Sequence, residues 1–386
     1  MTQLSTFIET PEQVNDLLNI SLFHVIIDLP FCSIRPYQSY DWSNDELNDL
    51  RSKMNMVGLM INLDGIYTDD ELNIIRSTLL DRELLDIFHG FRIQDIGLVK
   101  WIQKHFKGKK IHLNPEMGMQ NSIGIDHAFQ QGVHSFTFNH ETPVNVITDV
   151  ITNRTHQFEL FVQGPLLIQY SRRRFLHNLY ENTADSSIEL TSIDPELPGR
   201  EFTFLDTPFG HFMMAHFHRS LARYREKFDN LNVISALIDT RGQSNKYRLA
   251  AITLYHNLFT LNDDQIDSYL TVLEQESKRP QKPSFFLSNN TDFDWRDEQA
   301  IKIPEIGRIV TTKKNESTII EFFIPCLLTD SIVCINPDRT VAEISIAELV
   351  TLHHETVTSI SPFESYLILN APKGVQVKGK LYFKNS

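Results

Sequence analysis

The sequence has little cysteine and no long apolar run. Its three cysteines, Cys32, Cys326 and Cys334, form no C-x-x-C pair, so they predict neither a disulfide framework nor a zinc or iron–sulfur motif. No apolar stretch approaches the roughly 18–20 residues that a membrane-spanning helix requires. The polar N-terminus also lacks the basic start and apolar run of a signal peptide. We therefore expect a cytoplasmic protein with no membrane span.

Positive charge is scarce as well. The 386 residues include 36 Lys and Arg against 49 Asp and Glu, which gives a formal net charge of −13. This balance argues against a protein that holds nucleic acid by bulk electrostatics, although it leaves room for a local basic patch. The sequence contains no Walker loop and no G-x-G-x-x-G. It also lacks G-x-S-x-G and a protease-like cysteine context, so the residues alone do not support a peptidase mechanism.

The first two thirds of the chain alternate short β-branched or aromatic runs with longer amphipathic segments, a pattern typical of βαβ units around a parallel sheet. The predicted strands are 4–8, 22–28, 55–62, 84–93, 110–114, 135–139, 156–163 and 233–239, and the predicted helices are 45–54, 69–81, 97–106, 122–131, 144–151 and 246–258. A count near eight favours a closed TIM-type (β/α)8 barrel over an open doubly wound sheet. Segment 190–207 interrupts the alternation as a long excursion between the seventh and eighth units.

The pattern changes after residue 275. Residues 276–283 are polar and contain two prolines, which predicts a linker, and residues 284–386 show short alternating runs separated by turn residues. We therefore predict a barrel over 1–275 and a small β-rich, barrel-like or sandwich domain over 284–386. Its predicted strands are 308–312, 317–324, 331–335 and 376–382.

Polar residues recur where the predicted barrel strands end. In a (β/α)8 barrel the ligand contacts come from the carboxyl ends of the strands and the loops that follow them. Each such residue alone is commonly a cap or turn residue, but several on one rim predict a polar pocket. They are Asp28, Asn62, Asp64, Asp95, Asn114, Asn139, Glu141, Gly164, Asp239 and Arg241.

Three successive arginines, Arg172, Arg173 and Arg174, follow the seventh predicted strand. At the barrel mouth their guanidinium groups would bind phosphate or carboxylate in a bidentate manner. The alternative is a solvated turn that pairs with acids of the next loop. His216 and His218 share one strand face, but no carboxylate or cysteine lies near them in sequence, so ordinary buried or surface histidines explain them better than a metal site does.

Several segments resemble, in the same order, those of peptidase family U32, the collagenase-like proteases. They are 90–97 with its Asp-x-Gly end, 112–132 with Asn121, His140-Glu141, 162–174, 206–210, 239–247, and 284–292, which resembles the opening of the family's small C-terminal β domain. The positions that match the family's motifs are Asn121, Glu141, Gly164, Tyr170, Ser171, Arg173, Asp206, Gly210, Arg241 and Tyr247.

The chemistry of the family cannot be transferred unchanged to this chain, because two of the family's cysteines are replaced. Characterised members similar to this signature hold an iron–sulfur cluster with four cysteines and support oxygen-independent hydroxylation of RNA bases or ubiquinone precursors, and older members were described as collagenases. Here two signature cysteines fall on Leu167 and Arg174, which cannot supply thiolate ligands. We therefore expect no cluster and predict no metal site. The candidate substrate-binding residues are Asn121, Glu141, Tyr170, Ser171, Arg172, Arg173, Arg174, Asp206, Arg241 and Tyr247.

Three functions are open at this point. The leading hypothesis is a U32-like protein without a cluster that binds an anionic substrate, either RNA or a small aromatic or prenylated acid. It would act as the accessory subunit of a cluster-bearing U32 paralogue in oxygen-independent hydroxylation. The alternatives are a U32-type peptidase and a non-catalytic protein-binding scaffold. No catalytic set is recognisable in the sequence.

Overall fold

The computed structural model describes most of the chain. The described residues are 3–30, 32–33, 40–116, 118–152, 154–180, 187–193, 200–207, 209–287, 305–313, 316–327, 331–337, 340–345, 349–357, 359–369 and 372–384. The chain divides into two compact units, one formed by residues 1–192 and 202–293 and the other by 193–201 and 294–386. Residues 288–292 of the family-like segment and 194–199 of the predicted excursion lie outside the described residues. None of the described helices is long and apolar enough to cross a membrane.

The first unit is built on a closed parallel barrel. Its strands are β1 Gln3–Ile8, β2 Leu22–Ile27, β3 Gly58–Leu63, β4 Gly90–Ile93, β5 Lys110–Leu113, β6 Ser135–Phe138, β7 Gln157–Ser171, β8 Ile188–Ile193, β9 Glu201–Thr207, β10 Gly210–Ser220, β11 Ser235–Ile238 and β12 Gln281–Lys282. Strands β1 to β7 pair in order, and β11 pairs in parallel with both β1 and β7. Eight parallel strands therefore close on themselves, and the predicted TIM-type barrel is confirmed.

Helices connect the barrel strands. They are α1 Asn44–Lys53, α2 Asp69–Asp81, α3 Leu98–His105, α4 Ser122–Gln130, α5 Val144–Ile151, α6 Phe175–Tyr180, α7 Arg225–Asp229, α8 Asn245–His256 and α9 Asp263–Ser277. Ser43 and Thr68 each form a capping box with the glutamate three residues later, which satisfies backbone donors at the first turn. The predicted helices 69–81 and 144–151 match α2 and α5 at both ends.

Two predicted boundaries of barrel strands differ from the structure by more than three residues. The predicted strand 84–93 begins with a short 3-10 turn, Leu84–Asp86, and the strand itself starts only at Gly90. Leu84 and Phe88 are apolar because they are buried in the core, and not because they belong to a strand. Strand β7 continues past residue 163 as far as Ser171. Gly164, which resembles a strand terminator in sequence, has a φ of +137° inside the strand, and a Cβ there would lie 2.2 Å from the Asp239 carbonyl oxygen. Glycine thus lets the strand pass close to its neighbour.

The second half of β7 leaves the barrel and forms an arm, which we define as residues 165–171 with β8, β9 and β10. Strand β10 pairs antiparallel with β7 and with β9, and β8 lies at the sheet edge. The described parts of the predicted excursion 190–207 are therefore strands. Within the predicted linker 276–283, α9 ends at Ser277, and β12 pairs with β10.

The barrel interior is layered. Phe7, Ile26, Met60 and Leu237 form an apolar layer with Phe161 packed against it. Two residues earlier along the strands the inward side chains are polar and include Ser5, His24, Glu159 and Ser235, all buried. Two residues later they are polar again, at the carboxyl ends of the strands. The apolar layer, defined by those five residues, thus separates a lower polar layer from the barrel mouth.

The second unit is an antiparallel sheet. Its strands are β13 Gly307–Lys313, β14 Ser317–Phe322, β15 Ser331–Ile335, β16 Val341–Ser345, β17 Leu349–Thr351, β18 Ser365–Leu369 and β19 Lys380–Phe383, in the order β16-β15-β19-β13-β14-β18-β17. Ile309, Ile320, Phe322 and Leu381 belong to its core. Three strands, β16 to β18, were not predicted, although β16 alternates exposed and buried residues as a half-buried strand does.

Candidate functional site at the barrel mouth

Arg241 and three aspartates meet at the carboxyl ends of β2, β3 and β11. The Arg241 Nε and Nη2 atoms donate to the two carboxylate oxygens of Asp239 at 3.0 and 2.6 Å. Its Nη1 donates to Asp28 Oδ2 at 2.8 Å and lies 3.5 Å from Asp64 Oδ2. The Arg241 side chain is only 3% exposed, so this is a buried charge network that fixes the guanidinium in one orientation.

Neighbouring groups hold this network in place. The Arg241 guanidinium lies 3.6 Å from the centroid of the Phe7 ring, which is a close cation–π contact. Asn62 donates to Asp28 Oδ1 at 2.7 Å, and Ser33 donates to Asp64 Oδ1 at 3.1 Å. Burial opposes the charge on Arg241, but the adjacent carboxylates outweigh it and raise the guanidinium pKa well above its usual value. Arg241 is therefore permanently positive, and its three carboxylate neighbours outnumber it.

A small cavity opens beside this network. This mouth pocket has a volume of about 50 Å³, and its polar lining includes Asn114, Asn139, Asp239 and Arg241. Its apolar lining includes Phe7, Phe138, Phe161, Leu166 and Leu167. A second cavity of about 410 Å³, the groove, shares Pro115, Glu116 and Leu167 with the pocket and is further lined by Ile66, Gln94, Asp95, Ile96, Met119 and Tyr170. A polar pocket thus adjoins a larger, more apolar one.

The structure brings many of the predicted strand-end residues together. Asp28, Asn62, Asp64, Asp239 and Arg241 contact one another, and Asn114 and Asn139 line the same pocket. Of the ten candidate substrate-binding residues, Arg241 lines the mouth pocket and Tyr170 lines the groove. Burial raises the pKa of Tyr170 to about 12, so its hydroxyl stays protonated and donates to the Phe209 carbonyl at 2.9 Å.

Three other candidates line neither the mouth pocket nor the groove. The Asn121 side chain accepts from the Gly124 N–H at 2.9 Å and caps α4. The Glu141 side chain is exposed, and its backbone N–H donates to Asn139 Oδ1 at 2.7 Å. The buried Tyr247 hydroxyl accepts from Gln163 Nε2 at 2.7 Å and lies 3.0 Å from His218 Nδ1.

The arginine run follows the end of the arm strand. Arg172 forms a bidentate pair with Glu71 of α2 at 2.7 and 2.9 Å, and this pair lowers the pKa of Glu71 to about 2. Arg173 is exposed, and its backbone N–H donates to Ser171 Oγ at 3.2 Å. Arg174 contacts His177. Because β7 is longer than predicted, the run follows the arm and not the barrel part of the strand, and the acid that pairs with Arg172 belongs to α2 and not to the next loop.

Asp206 is a buried anchor within the arm. Its Oδ2 accepts from the backbone N–H groups of Leu176 and His177 at 2.7 and 3.0 Å, and its Oδ1 lies 2.5 Å from His211 Nδ1. Burial alone would raise its pKa, but these donors outweigh burial and lower the pKa. The carboxylate therefore holds α6 against β9 and β10.

The positions where the family has cluster cysteines do not fit an iron–sulfur cluster. Leu167 is buried in an apolar cluster with Phe212 and Met214, and Arg174 contacts His177. Cys32, Cys326 and Cys334 are each buried and form no disulfide, the first in the barrel unit and the other two in the second unit. Thiolate ligation therefore has no donor set at this place.

Sequence reasoning missed two groups of residues. Phe7 and Ser33 contact the charge network, but nothing in their local sequence marks them. The lower polar layer, which includes His24, His112 and Glu159, was also missed. The alternation of inward and outward residues along β2, β5 and β7 could have identified it, since three ionisable side chains occupy inward positions.

A known protein family and several solved structures are similar to this chain. The model of peptidase family U32 matches residues 10–295. The U32 peptidase Mk0906 is a similar solved structure with 12% identity and a TM-score of 0.40, covering 63% of this chain and 94% of its own. A Proteus mirabilis N-acetylneuraminate lyase shows 9% identity and a TM-score of 0.37, covering 70% of this chain and 79% of its own. No curated protein matches the chain.

Proposed function

Since the chain belongs to peptidase family U32, we propose that it binds a small aromatic or prenylated acid at its barrel mouth without a cysteine-held cluster. In this proposal it acts in the cytoplasm as the accessory subunit of a cluster-bearing U32 paralogue in oxygen-independent hydroxylation. The observation that carries the proposal is the junction of the mouth pocket with the groove. A polar head group fits the first cavity, and an apolar body fits the second.

The lining residues favour a small acid over RNA. Three phenylalanine rings line the mouth pocket beside its polar groups, and Ile66, Ile96 and Tyr170 line the groove. An aromatic or isoprenoid body can therefore follow the head group from the mouth pocket into the groove. Arg241 and two asparagine amides supply donors for a carboxylate. RNA would require an extended basic surface, whereas the chain carries a net charge of −13 and Arg172 is paired with Glu71.

Asp28, Asp64 and Asp239 oppose an anion at the same place. Binding should therefore be tested with a para-substituted benzoate against the matched benzamide and benzylamine, and against a single-stranded RNA, by isothermal titration calorimetry. We expect the benzoate to bind at least about 10-fold more tightly than the other probes, since a charged hydrogen bond contributes about 1.5–3 kcal/mol. Tighter binding of the amine would show that the aspartates dominate the mouth and would reject the anionic ligand.

Two conservative variants separate the mouth from the arginine run. Arg241→Lys keeps the charge but loses the bidentate geometry, so it should weaken the benzoate. Arg172→Lys changes an arginine outside the mouth and should leave that affinity unchanged. If only Arg172→Lys, or the triple alanine variant of Arg172, Arg173 and Arg174, weakens binding, the ligand site is the arginine run and not the mouth.

The accessory role requires a separate experiment. Anaerobic affinity purification from the native host should recover a cysteine-containing U32 paralogue, while the isolated chain contains no stoichiometric iron. Iron in the isolated chain at one cluster per chain would contradict the proposal. Peptide hydrolysis abolished by Asp239→Asn would favour the peptidase alternative, and a stable protein partner with no ligand binding would favour the scaffold.

A further inference from the structure

A cluster of ionisable side chains lies in the lower polar layer, on the opposite side of the apolar layer from the mouth. His24 is on β2, His112 on β5 and Glu159 on β7, and their exposed fractions are 5%, 0% and 0%. One ligand atom from each of the three lies within 4.8 Å of the others. The His112 Nε2 and Glu159 Oε1 atoms are 3.4 Å apart.

We infer that His24, His112 and Glu159 form a binding site for one divalent transition-metal ion of the zinc class. Two imidazoles and one carboxylate are a common set of protein ligands for such an ion, and they leave a fourth position for water. The site is distinct from the barrel mouth and from the positions where the family has cluster cysteines.

Hydrogen bonds already orient two of the three ligands. Ser135 Oγ lies 2.7 Å from His112 Nδ1. His112 Nε2 lies 2.6 Å from Thr137 Oγ1 and 3.4 Å from Glu159 Oε1, so a bound ion would displace the Thr137 contact. Ser235 Oγ donates to Glu159 Oε2 at 2.6 Å. Such outer contacts fix the tautomer and the rotation of metal ligands. When a metal binds His112 Nε2, the ring proton can reside on Nδ1 and be donated to the Ser135 hydroxyl.

His24 distinguishes this cluster from an ordinary buried polar core, in which every polar atom has a hydrogen-bond partner. Its Nδ1 is buried and has no hydrogen-bond partner among the described residues, and such a group is costly to leave unpaired. The ring lies over Gly58, where a Cβ would be 2.6 Å from His24 Cδ2. Glycine thus makes room for an imidazole whose buried nitrogen lacks a partner.

Both imidazoles are in the protonation state that a metal requires. Burial is the main cause that lowers the pKa of His24 to about 4 and the pKa of His112 well below its usual value. At neutral pH both rings are therefore uncharged, so no proton has to be displaced by an incoming ion.

Two contacts of Glu159 Oε1, together with the Thr137 contact of His112 Nε2, oppose the site. Arg92 Nη1 donates to Glu159 Oε1 at 2.7 Å, and Thr137 Oγ1 donates to the same oxygen at 2.7 Å. The guanidinium repels a cation and competes for that oxygen, so the affinity should be below that of a structural zinc site. Oε2 accepts from the Ser235 hydroxyl and keeps capacity for a further partner, since a carboxylate oxygen has two lone pairs.

An access route exists at the N-terminal end of the barrel. A cavity of about 320 Å³ there is lined by His24 and also by His89, Lys110, His134 and Gln157. An ion can therefore reach His24 without passing the apolar layer or the mouth pocket. The two further histidines of this cavity serve as natural controls.

The test is a titration of the full-length, chelator-treated protein with Zn²⁺ and Co²⁺, read by calorimetry and by the visible absorption of bound Co²⁺. We expect one ion per chain, and an absorption spectrum of bound Co²⁺ that is typical of four-coordinate cobalt. Zn²⁺ should also raise the melting temperature. His24→Gln and His112→Gln should each weaken binding at least about 10-fold. His134→Gln changes a residue that lines the access cavity and accepts from the Ile111 N–H at 3.2 Å, and because His134 is not one of the three ligands it should leave affinity within about twofold.

Circular dichroism and melting in the absence of metal establish that each variant is folded. If His112→Gln does not fold, His24→Gln decides the question, since one nitrogen of His24 has no partner to lose. Absence of binding to the folded wild-type chain would overturn the inference. So would Co²⁺ binding that survives His24→Gln but is lost in His134→Gln, because the ion would then sit in the access cavity.

Discussion

Gly164 lies so close to Asp239 that a Cβ added to the glycine would be 2.2 Å from the aspartate's carbonyl oxygen. This contact joins the bend in β7 to the residue that pairs with Arg241. The backbone of one strand therefore limits where the charged network of the mouth can sit.

Gly164→Ala should destabilise the protein by a few kcal/mol, because it adds a backbone clash to the cost of about 1–2 kcal/mol for a side chain at positive φ. Gly108→Ala is the matched control, since Gly108 has a φ of +81° but nothing within 4 Å of the added Cβ. Urea unfolding of both variants measures the difference. Equal losses would show that the strand moves freely away from Asp239.

Arg241→Met should cost about 3–5 kcal/mol, because it leaves buried carboxylates without their cation. Arg172→Met removes an exposed pair with Glu71 and should cost no more than about 1 kcal/mol. Adding Asp239→Asn to Arg241→Met should recover part of the loss. Additive losses in that double variant would mean that the pair is not coupled.

His218 should make stability depend on pH. Burial, assisted by Arg279, lowers its pKa to about 3 in the folded protein, against 6.5 as the ordinary value. Between these values the unfolded chain binds more protons, so the stabilisation is complete above about pH 6.5 and declines as the pH falls toward 3. The free energy of unfolding of His218→Gln, measured from pH 7 to 4, should fall less steeply than that of the wild type.

The control for this measurement is His256→Gln, which changes an exposed histidine on α8, the helix that carries Tyr247. It should reproduce the wild-type slope. A slope in His218→Gln as steep as in the wild type would show that another group causes the acid sensitivity.

The three thiols should react slowly in the folded protein. Burial raises the pKa of Cys334 to about 11 and the pKa of Cys32 well above its usual value, and Cys326 is only 7% exposed. Because the thiolate is the reactive form, Ellman's reagent at pH 8 should label the native chain at least about 10-fold more slowly than free cysteine. Three equivalents should react in denaturant. Rapid labelling of one thiol in the native state would indicate local opening at that cysteine.

The sequence was sufficient for the barrel and for part of its mouth. Alternating strand and helix patterns identify β1 to β6 and their helices. The expectation that polar residues at the carboxyl ends of barrel strands lie together correctly selects neighbours, which are Asp28, Asn62, Asp64, Asp239 and Arg241. Such rules succeed because the parallel strands of a barrel all end on the same face.

The rest depends on contacts that local sequence does not encode. Gly164 and Pro165 resemble a turn, yet pairing with β10 continues β7 to Ser171 and places the three arginines after the arm. The local sequence around Phe7 predicts only a core residue. Its contact with Arg241 joins two positions that are 234 residues apart in the chain (241 − 7). Long-range geometry of this kind requires the closed fold.

The apolar layer of Phe7, Ile26, Met60, Leu237 and Phe161 also divides the interior of the barrel. A charge that arrives in the mouth is separated by hydrocarbon from the histidines below. The protein therefore has two interior compartments that open on opposite faces. The two cavities share no lining residue, so a ligand bound in one does not touch the side chains that line the other.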